Sequence, residues 1–374
     1  MVKRPVLRIV GLLFGLLLCA LVVEGLSSFG LFAKDVRSVP HTPDNFRQAR
    51  YDTLLGWVGL PNLSRADNYG PGIRLTTNAD GMRIHRPVSA ALAPGETRAI
   101  CSGDSFTFGS GVADDETFCA YLEQEIPGLR TLNMAQRGYG IDQAYLWYKR
   151  DAVRYPHQLH LFAFIWADFE RMAVTSFTGY PKPRLRLKDG QLALENVPVP
   201  QWTGESKLTT AAGLLPELRL VQLVQGHTDQ SDSAKLARVD AQVWDVALAV
   251  FKDLARLNKE RGSNLVLVYL PAPADLQAGA QDTRRRRLAE FSRASGIPLV
   301  DLTAEIRTVP PDSSDWMFIT PNQLVTQGSS GHYTAAGHRW VAARLAEHLR
   351  AIPAVAATLP PAARTAAAPT KASR

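Results

Sequence analysis

The sequence predicts an α/β fold, a three-layer sandwich in which helices cover both faces of a central parallel sheet. From residue 97 onward, short apolar runs alternate with amphipathic segments, which is the pattern of parallel strands joined by helices. The chain has 374 residues, of which 46% are hydrophobic and 21% charged, so it can form a sizeable core. Ligands of such sheets bind at the carboxyl ends of the strands, and functional residues are expected there.

Strands and helices are predicted in alternation along this main domain. The predicted strands are residues 98–101, 130–134, 159–166, 264–270 and 298–302. The predicted helices are residues 116–126, 141–155, 240–261, 283–294 and 334–350.

Four segments make up the predicted organisation of the chain. Residues 1–34 form an N-terminal membrane anchor or a signal peptide, and residues 35–95 form a linker and a small β-rich annex. The main domain is residues 96–352, with an insertion at 172–238 that contains a hairpin around Asp189-Gly190 and a helix near 214–224. The Ala- and Pro-rich residues 353–374 are predicted to be disordered.

The N-terminal segment is apolar and follows basic residues. Residues 9–23 carry no charge, and Lys3, Arg4 and Arg8 precede them. Together with the apolar residues after Glu24, this stretch is long enough to span a bilayer. The interpretation is a single-pass anchor with a cytoplasmic N-terminus, and the alternative is a cleaved signal peptide.

Charge and cysteine content limit the kinds of ligand and cofactor that the sequence predicts. The net charge is +7 and includes a run of four arginines at 284–287, which is read as a solvated helix face rather than a nucleic-acid site. Cys101 and Cys119 are either a disulfide or two buried free thiols. Because Asp and His residues do not group at ligand spacing, no metal and no cofactor are predicted.

Gly103-Asp104-Ser105 follows the first strand of the predicted sheet. A serine there can expose its hydroxyl at the sheet edge, beside free backbone N–H groups, as nucleophilic catalysis requires. The alternative is an ordinary turn. The matching base is His332, in a polar loop just before the last helix, where Thr334 is a plausible N-cap. His338 is expected to pack at the start of that helix.

Three ordered blocks resemble the SGNH (GDSL) hydrolase superfamily over residues 96–350. They are Gly103-Asp104-Ser105, the segment 133–140 around Gly138, and the segment 331–338 around His332. The resemblance implies that Ser105 is the nucleophile, that His332 is the base, and that the backbone N–H groups of Ser105 and Gly138 form the oxyanion hole. Residues 55–57 and 78–83 resemble the annex of membrane-anchored bacterial members, which implies an inner-membrane anchor and a periplasmic catalytic domain.

Two departures from the family pattern affect catalysis. Ala167 stands where the family carries an oxyanion-binding asparagine, and a lost donor of this kind costs roughly 100- to 1000-fold in rate. Ser329 and Ser330 occupy the positions of the catalytic acid, so Asp312 or Asp315 would have to substitute through space. Asp168 and Ser330 are further candidates for the substrate pocket.

Two functional hypotheses follow. The first is an extracytoplasmic serine ester hydrolase or O-acyltransferase that acts on an acyl ester of a cell-surface glycan or lipid. The second is a catalytically impaired relative that binds a glycan or a partner protein. The retained Ser105, Gly138 and His332 favour the first hypothesis, whereas Ala167 and the missing acid favour the second. The sequence makes no prediction of the oligomeric state.

Overall fold

The computed structural model describes residues 8, 11–19, 21–26, 48–89, 91–202, 230–277, 279–308, 315–320 and 329–361, with residues 230–240 and 280–281 described by their backbone alone. The chain divides into two units. The first comprises Met1–Thr42 and Trp202–Asp240, and the second comprises Pro43–Gln201 and Ala241–Arg374. The central sheet and the candidate site belong to the second unit.

The first unit contains the apolar N-terminal stretch. Residues 11–19 and 21–26 are helical, and large apolar side chains such as Leu12 and Phe14 are exposed. Across the described residues, no helix combines the length and the apolar character needed to cross a membrane. The predicted single-pass inner-membrane location is therefore contradicted. The prediction counts residues 9–33 as one span, whereas the helical residues described in this stretch, 11–19 and 21–26, number fewer than the roughly 20 that a span requires. Most of the linker predicted for residues 35–50 lies outside the described part of the chain, which resumes at residue 48, and β1 already begins at Ala49.

The strands come in a small annex, a central sheet and an insertion. In chain order they are β1 (Ala49–Asp52), β2 (Gly56–Gly59), β3 (Ser64–Arg65), β4 (Leu75–Thr76), β5 (Thr97–Gly103), β6 (Leu129–Ala135), β7 (Leu159–Phe164), β8 (Ser176–Phe177), β9 (Tyr180–Pro181), β10 (Arg184–Lys188), β11 (Gln191–Glu195), β12 (Asn264–Tyr269) and β13 (Leu299–Asp301).

Helices connect the strands of the central sheet. After the N-terminal helical residues they are α1 (Ser105–Phe108), α2 (Phe118–Glu125), α3 (Ile141–Asp151), α4 (Trp166–Met172), α5 (Gln230–Glu260), α6 (Ala280–Ser295), α7 (Thr303–Ile306), α8 (Ala335–Ala351) and α9 (Pro353–Ala356).

The central sheet has the order β13-β12-β7-β5-β6, and every neighbouring pair is parallel. When only these strands are counted along the chain, the order is 2-1-3-4-5, the doubly wound order of flavodoxin-like folds. The connections reverse direction between β5 and β7, and such a switch point opens a crevice at the carboxyl ends of the strands. The predicted α/β class is confirmed, and Ser105 directly follows β5 at this point.

Side chains alternate between the two faces of the sheet. On β7, Phe162 and Phe164 pack with Phe251 of α5 on one face. Leu161 belongs to the apolar cluster on the other face, which also contains Leu122 of α2. Both clusters are buried, so the sheet is the middle layer of the predicted three-layer sandwich.

The annex and the insertion consist of short antiparallel hairpins. β1 pairs with β2 and β3 pairs with β4 in the annex. In the insertion, β10 pairs with β11, and the hairpin turns at Asp189-Gly190, where both residues have positive φ as a type I′ turn requires. The predicted hairpin is therefore present. The helix predicted near residues 214–224 lies outside the described residues.

Two segments differ from the sequence-based expectation. Arg284 and Arg287 of the arginine run lie over the rings of Trp166 and Trp244, at 3.9 and 4.5 Å, so this helix face covers aromatic rings and is more than a solvated surface. The predicted disorder does not hold for residues 353–361. They include α9, and their buried Val355 fills part of the core.

Candidate active site

The turn after β5 places Ser105 at the first position of α1. The Asp104 carboxylate caps this helix by accepting a hydrogen bond from the Phe106 N–H at 2.9 Å. Gly103 lies so close to β7 that a Cβ there would be 2.5 Å from the Ala163 carbonyl oxygen. Only glycine allows this approach, and the close packing holds the nucleophile turn against the sheet.

His332 lies on the loop before α8 and faces Ser105 directly. Its Nε2 is 2.8 Å from the Ser105 Oγ, within the distance that general-base catalysis requires. The His332 ring packs on Phe106, with centroids 4.8 Å apart. The loop is fixed on both sides of the histidine, since Ile319 N–H donates to the His332 carbonyl at 2.7 Å and Thr334 N–H donates to the Met317 carbonyl at 3.0 Å.

A backbone carbonyl takes the place of the missing acid. His332 Nδ1 lies 3.2 Å from the Ser329 carbonyl oxygen. Because a carbonyl can only accept, Nδ1 carries the proton and Nε2 presents its lone pair to Ser105. Ser329 therefore fixes the tautomer that a serine nucleophile needs, although a neutral carbonyl stabilises the imidazolium less than a carboxylate does.

The surroundings of His332 favour its neutral form. Burial lowers the pKa of His332, and the positive charges of Arg171 and Arg137 lower it further. The Asp104 charge and the hydrogen bond to Ser329 oppose this shift in the pKa without reversing it. The imidazole is thus available as a base at neutral pH.

The turn after β6 carries Gly138 to the same edge of the sheet. Gln136 N–H donates to the Gly103 carbonyl at 3.1 Å, so the turns after β5 and β6 are bonded to each other. Gly138 has φ +78°, and a Cβ there would lie 2.9 Å from the Phe177 ring and 3.4 Å from Trp57. The annex, through Trp57, and the insertion, through Phe177, therefore converge on the glycine that is expected to donate to the oxyanion.

Arg171 of α4 lies beside both turns. Its Nη1 donates to the Tyr139 carbonyl at 2.9 Å, to Asp104 Oδ2 at 3.2 Å and to Asp168 Oδ1. Burial, followed by the neighbouring Asp104 charge, raises the pKa of Asp168 well above its usual range. The guanidinium therefore lies between two carboxyl groups, those of Asp104 and Asp168.

The annex supports the nucleophile helix through a buried arginine. Arg83 forms an ion pair with Asp114, with Nε and Oδ1 2.9 Å apart, and its Nη atoms donate to the carbonyls of Phe108, Gly109 and Val112. These carbonyls lie at the C-terminal end of α1 and just after it, so the annex helps to fix the segment that carries Ser105. A buried cation with this many partners is costly to remove.

Among the described residues, the side-chain hydrogen bonds of Ser105 and His332 do not include the other predicted site residues. Asp168 is buried beneath Arg171, and Ser330 is exposed. Asp315 is exposed and Asp312 lies outside the described residues, so Nδ1 of His332 has the Ser329 carbonyl, and not Asp315, as its hydrogen-bond partner.

Three further predicted positions have clear settings. Cys101 and Cys119 are buried free thiols, and burial, followed by contact with Cys101, raises the pKa of Cys119 well above its usual range. Cys119 is therefore not poised as a nucleophile. His338 accepts a hydrogen bond from Phe118 N–H at 3.1 Å and packs at the helix start, as expected.

Sequence reasoning missed the roles of Ser329, Arg171 and Phe177. The Ser329 contribution is a backbone carbonyl, which leaves no signature in a residue pattern. Phe177 lies in an insertion whose path the sequence does not reveal. Arg171 did carry a signal, since it stands four residues after Ala167, which is one helical turn.

Comparison with solved structures finds loose similarity to esterases. A member of the lipolytic protein G-D-S-L family from Veillonella parvula is 12% identical with a TM-score of 0.37, and the match covers 67% of this chain and 96% of that chain. An acetyl xylan esterase is 10% identical with a TM-score of 0.38, with 67% and 98% covered. A catalytic mutant of an acetylxylan esterase from Geobacillus stearothermophilus is 13% identical with a TM-score of 0.35, with 68% and 94% covered.

Neither a family model nor a curated protein matches the chain. TM-scores of this size do not identify an activity, so the contacts of Ser105 and His332 carry the functional argument. The chain carries three motif blocks that resemble those of SGNH hydrolases on a doubly wound sheet, and the solved structures similar to it include proteins described as G-D-S-L lipolytic proteins and acetylxylan esterases.

Proposed function

We propose that this protein is a serine ester hydrolase or acyltransferase. The observation that carries the proposal is the 2.8 Å contact between Ser105 Oγ and His332 Nε2, with Nδ1 of the same ring bonded to a carbonyl. Nucleophilic acyl transfer by a serine requires a hydroxyl hydrogen-bonded to an imidazole whose other nitrogen carries the proton.

In the first half of the reaction, Ser105 Oγ attacks the ester carbonyl carbon while His332 Nε2 accepts the hydroxyl proton. The tetrahedral oxyanion accepts hydrogen bonds from the backbone N–H groups of Ser105 and Gly138. When the ester bond breaks, the leaving alkoxide takes the proton from His332. The acyl group is then held as an ester of Ser105.

In the second half, an acceptor hydroxyl attacks the acyl-enzyme and gives its proton to His332. The acceptor is water in a hydrolase and a sugar hydroxyl in an acyltransferase. Breaking the acyl–serine bond returns the proton from His332 to Ser105. These steps balance in atoms and electrons and regenerate the free enzyme.

The surroundings of Gly138 favour a small acyl group. Phe177 and Trp57 both lie against this glycine, so the space next to the oxyanion hole is bounded by aromatic rings. The expectation of a cell-surface glycan or lipid ester depended on the predicted membrane location, which is contradicted. The proposal is therefore restricted to a short-chain O-acyl ester.

A binding protein without turnover is the second candidate. The observation that favours it is the absence of a side-chain donor at Ala167, together with a neutral partner for His332. Each change lowers the rate in enzymes that depend on it. The two candidates differ in one measurable property, which is Ser105-dependent turnover.

The test is ester hydrolysis by the full-length protein, with p-nitrophenyl acetate and p-nitrophenyl octanoate as substrates. Wild type is expected to hydrolyse the acetate faster than the octanoate, and Ser105→Ala and His332→Ala are expected to lose this activity. Folded wild type that is no faster than Ser105→Ala on either ester would refute the enzyme proposal and favour the binding candidate.

A further inference from the structure

We propose that Arg171 compensates for the missing asparagine of the oxyanion hole as a positioning residue. It holds the two turns that carry the backbone donors and offsets the charge of Asp104. This inference rests on the proposed function. By the motif pattern alone, Ala167 means the loss of one hydrogen-bond donor to the oxyanion, and Arg171 would compensate for that loss.

The first support is position. Ala167 and Arg171 are four residues apart on α4 (Trp166–Met172), and residues with this spacing lie on the same face of a helix. An asparagine at position 167 would therefore share its helix face with Arg171, which lies one turn later. An arginine side chain is long enough to reach back over that turn.

The second support is the set of contacts made by a single nitrogen. Arg171 Nη1 donates to the Tyr139 carbonyl, next to Gly138, and to Asp104, next to Ser105. It thereby ties together the two turns whose N–H groups are proposed to bind the oxyanion. A fixed pair of donors stabilises developing charge without reorganisation during the reaction.

The third support is electrostatic. Asp104 Oδ2 lies only 3.4 Å from Ser105 Oγ, so an uncompensated carboxylate would repel the oxyanion. The Arg171 side chain is 15% exposed and the Asp104 side chain 1%, and charges interact more strongly at such depth than in water. Arg171 therefore offsets a negative charge at the place where a second one develops.

The insertion holds Arg171 in place from the other side. Lys182 is fully buried and donates to the Arg171 carbonyl at 3.0 Å and to Asp142 at 2.6 Å. The Arg171 guanidinium also lies over the Phe177 ring, with its Cζ 5.0 Å from the centroid. These contacts restrict the guanidinium, which a positioning role requires.

A purely structural role for Arg171 is the competing account, and rescue separates the two. We expect Arg171→Met to lower kcat on p-nitrophenyl acetate by about 100-fold, the order found for loss of one oxyanion donor, while KM changes little. Adding Ala167→Asn to Arg171→Met should recover about tenfold of that loss, because the amide would donate to the oxyanion.

Arg150→Met is the matched control. Arg150 also pairs with two carboxylates, Asp52 at 2.8 Å and Asp151 at 2.9 Å, and both lie outside the site. Its replacement is expected to lower Tm and leave kcat unchanged. If Arg171→Met does not fold, Arg171→Gln takes its place, because glutamine keeps a donor for the Tyr139 carbonyl and removes the charge.

The outcomes are distinguishable. A loss of kcat in the folded variant that Ala167→Asn partly restores supports the inference. Unchanged kcat in the folded variant, or a loss that the asparagine does not restore, overturns it while wild-type turnover still supports the proposed function. Wild type without Ser105-dependent turnover would overturn both.

Discussion

At the scale of the residue, the histidine is supported by a neutral acceptor. In serine proteases, replacing the acid behind the histidine by an amide lowers kcat about 10⁴-fold, largely through the wrong tautomer. In this chain, the Ser329 carbonyl at 3.2 Å enforces the productive tautomer, so that part of the loss is avoided. The remaining deficit is stabilisation of the imidazolium, which the Asp104 charge favours, although burial still lowers the pKa of His332 overall.

The pH dependence of turnover tests this account of His332. Burial lowers the pKa of His332 from its ordinary value of 6.5, and the base must be neutral to accept a proton. Activity is therefore expected to persist below pH 6.5 and to fall only as pH drops through the lowered pKa. The measurement is kcat/KM on p-nitrophenyl acetate from about pH 4 to 8. An acid limb centred at pH 7 or above would contradict it.

Ser330→Asp is a second test of the pH profile. This change puts a carboxylate two residues before the histidine, at one of the two positions where the family carries its acid. A nearby anion favours the imidazolium and raises the pKa of a histidine. The acid limb should move to higher pH. An unchanged profile would mean that a carboxylate at position 330 does not affect the pKa of His332.

At the scale of the element, the turn after β6 is the most constrained part of the site. Gly138 combines a positive φ with rings on its open side. An added methyl group must therefore displace Phe177 or change the backbone. Either movement shifts an N–H group that is proposed to bind the oxyanion.

Gly138→Ala is expected to lower kcat on p-nitrophenyl acetate by at least tenfold, since misplacing one donor approaches the roughly 100-fold cost of removing it. Gly190→Ala is the matched control. Gly190 has φ +75°, close to that of Gly138, but within the described part of the chain a methyl group added there would meet no atom within 4 Å. It should therefore show only a modest stability loss and unchanged kcat. Equal kcat in the two variants would remove Gly138 from the site.

The elements that carry the site are predictable from the sequence. The strands β5, β6 and β7 lie where apolar runs predict them, and β5 extends the predicted 98–101 to Thr97–Gly103. Ser105 and His332 could be named because nucleophile and base must be specific side chains at strand ends and loops. Their 2.8 Å contact shows that the fold brings them together.

The missed features are those that depend on the backbone or on an inserted segment. Any residue at 329 provides a carbonyl, so serine there gives no signal. Lys182 is fully buried against Asp142, a contact that no local pattern predicts. The predicted membrane span is contradicted because, among the residues that the structure describes, no helix is long and apolar enough to cross a membrane.

At the scale of the whole molecule, a polar network lies inside the apolar core. His160 Nε2 is 2.9 Å from Ser102 Oγ, and its ring stacks on Tyr148 with centroids 3.7 Å apart. The Tyr148 hydroxyl lies 2.8 Å from His157 Nε2 and donates to Asn258 at 2.8 Å. Burial lowers the pKa of His157 to about 4 and that of His160 well below its usual value. Both histidines are therefore neutral in the folded protein at neutral pH.

This network makes stability depend on pH. In the unfolded chain His157 binds a proton near pH 6.5, whereas in the folded protein it does so only near pH 4. Its contribution is therefore complete above pH 6.5 and is lost as pH falls from 6.5 toward 4, by about 3 kcal/mol. Tm measured across this window should fall, and His157→Gln should fall less steeply. Identical slopes for the two proteins would contradict the assignment.

The measurement that tests the central claim most directly is labelling of the full-length protein with a fluorophosphonate probe, read by intact mass and by mapping of the modified peptide. The account predicts a single adduct on Ser105 in wild type and none in Ser105→Ala or His332→Ala. Ser102→Ala removes a second serine–histidine contact, which is buried, and should label like wild type. Folded wild type that stays unlabelled, or His332→Ala that labels as fast as wild type, would contradict activation of Ser105 by His332.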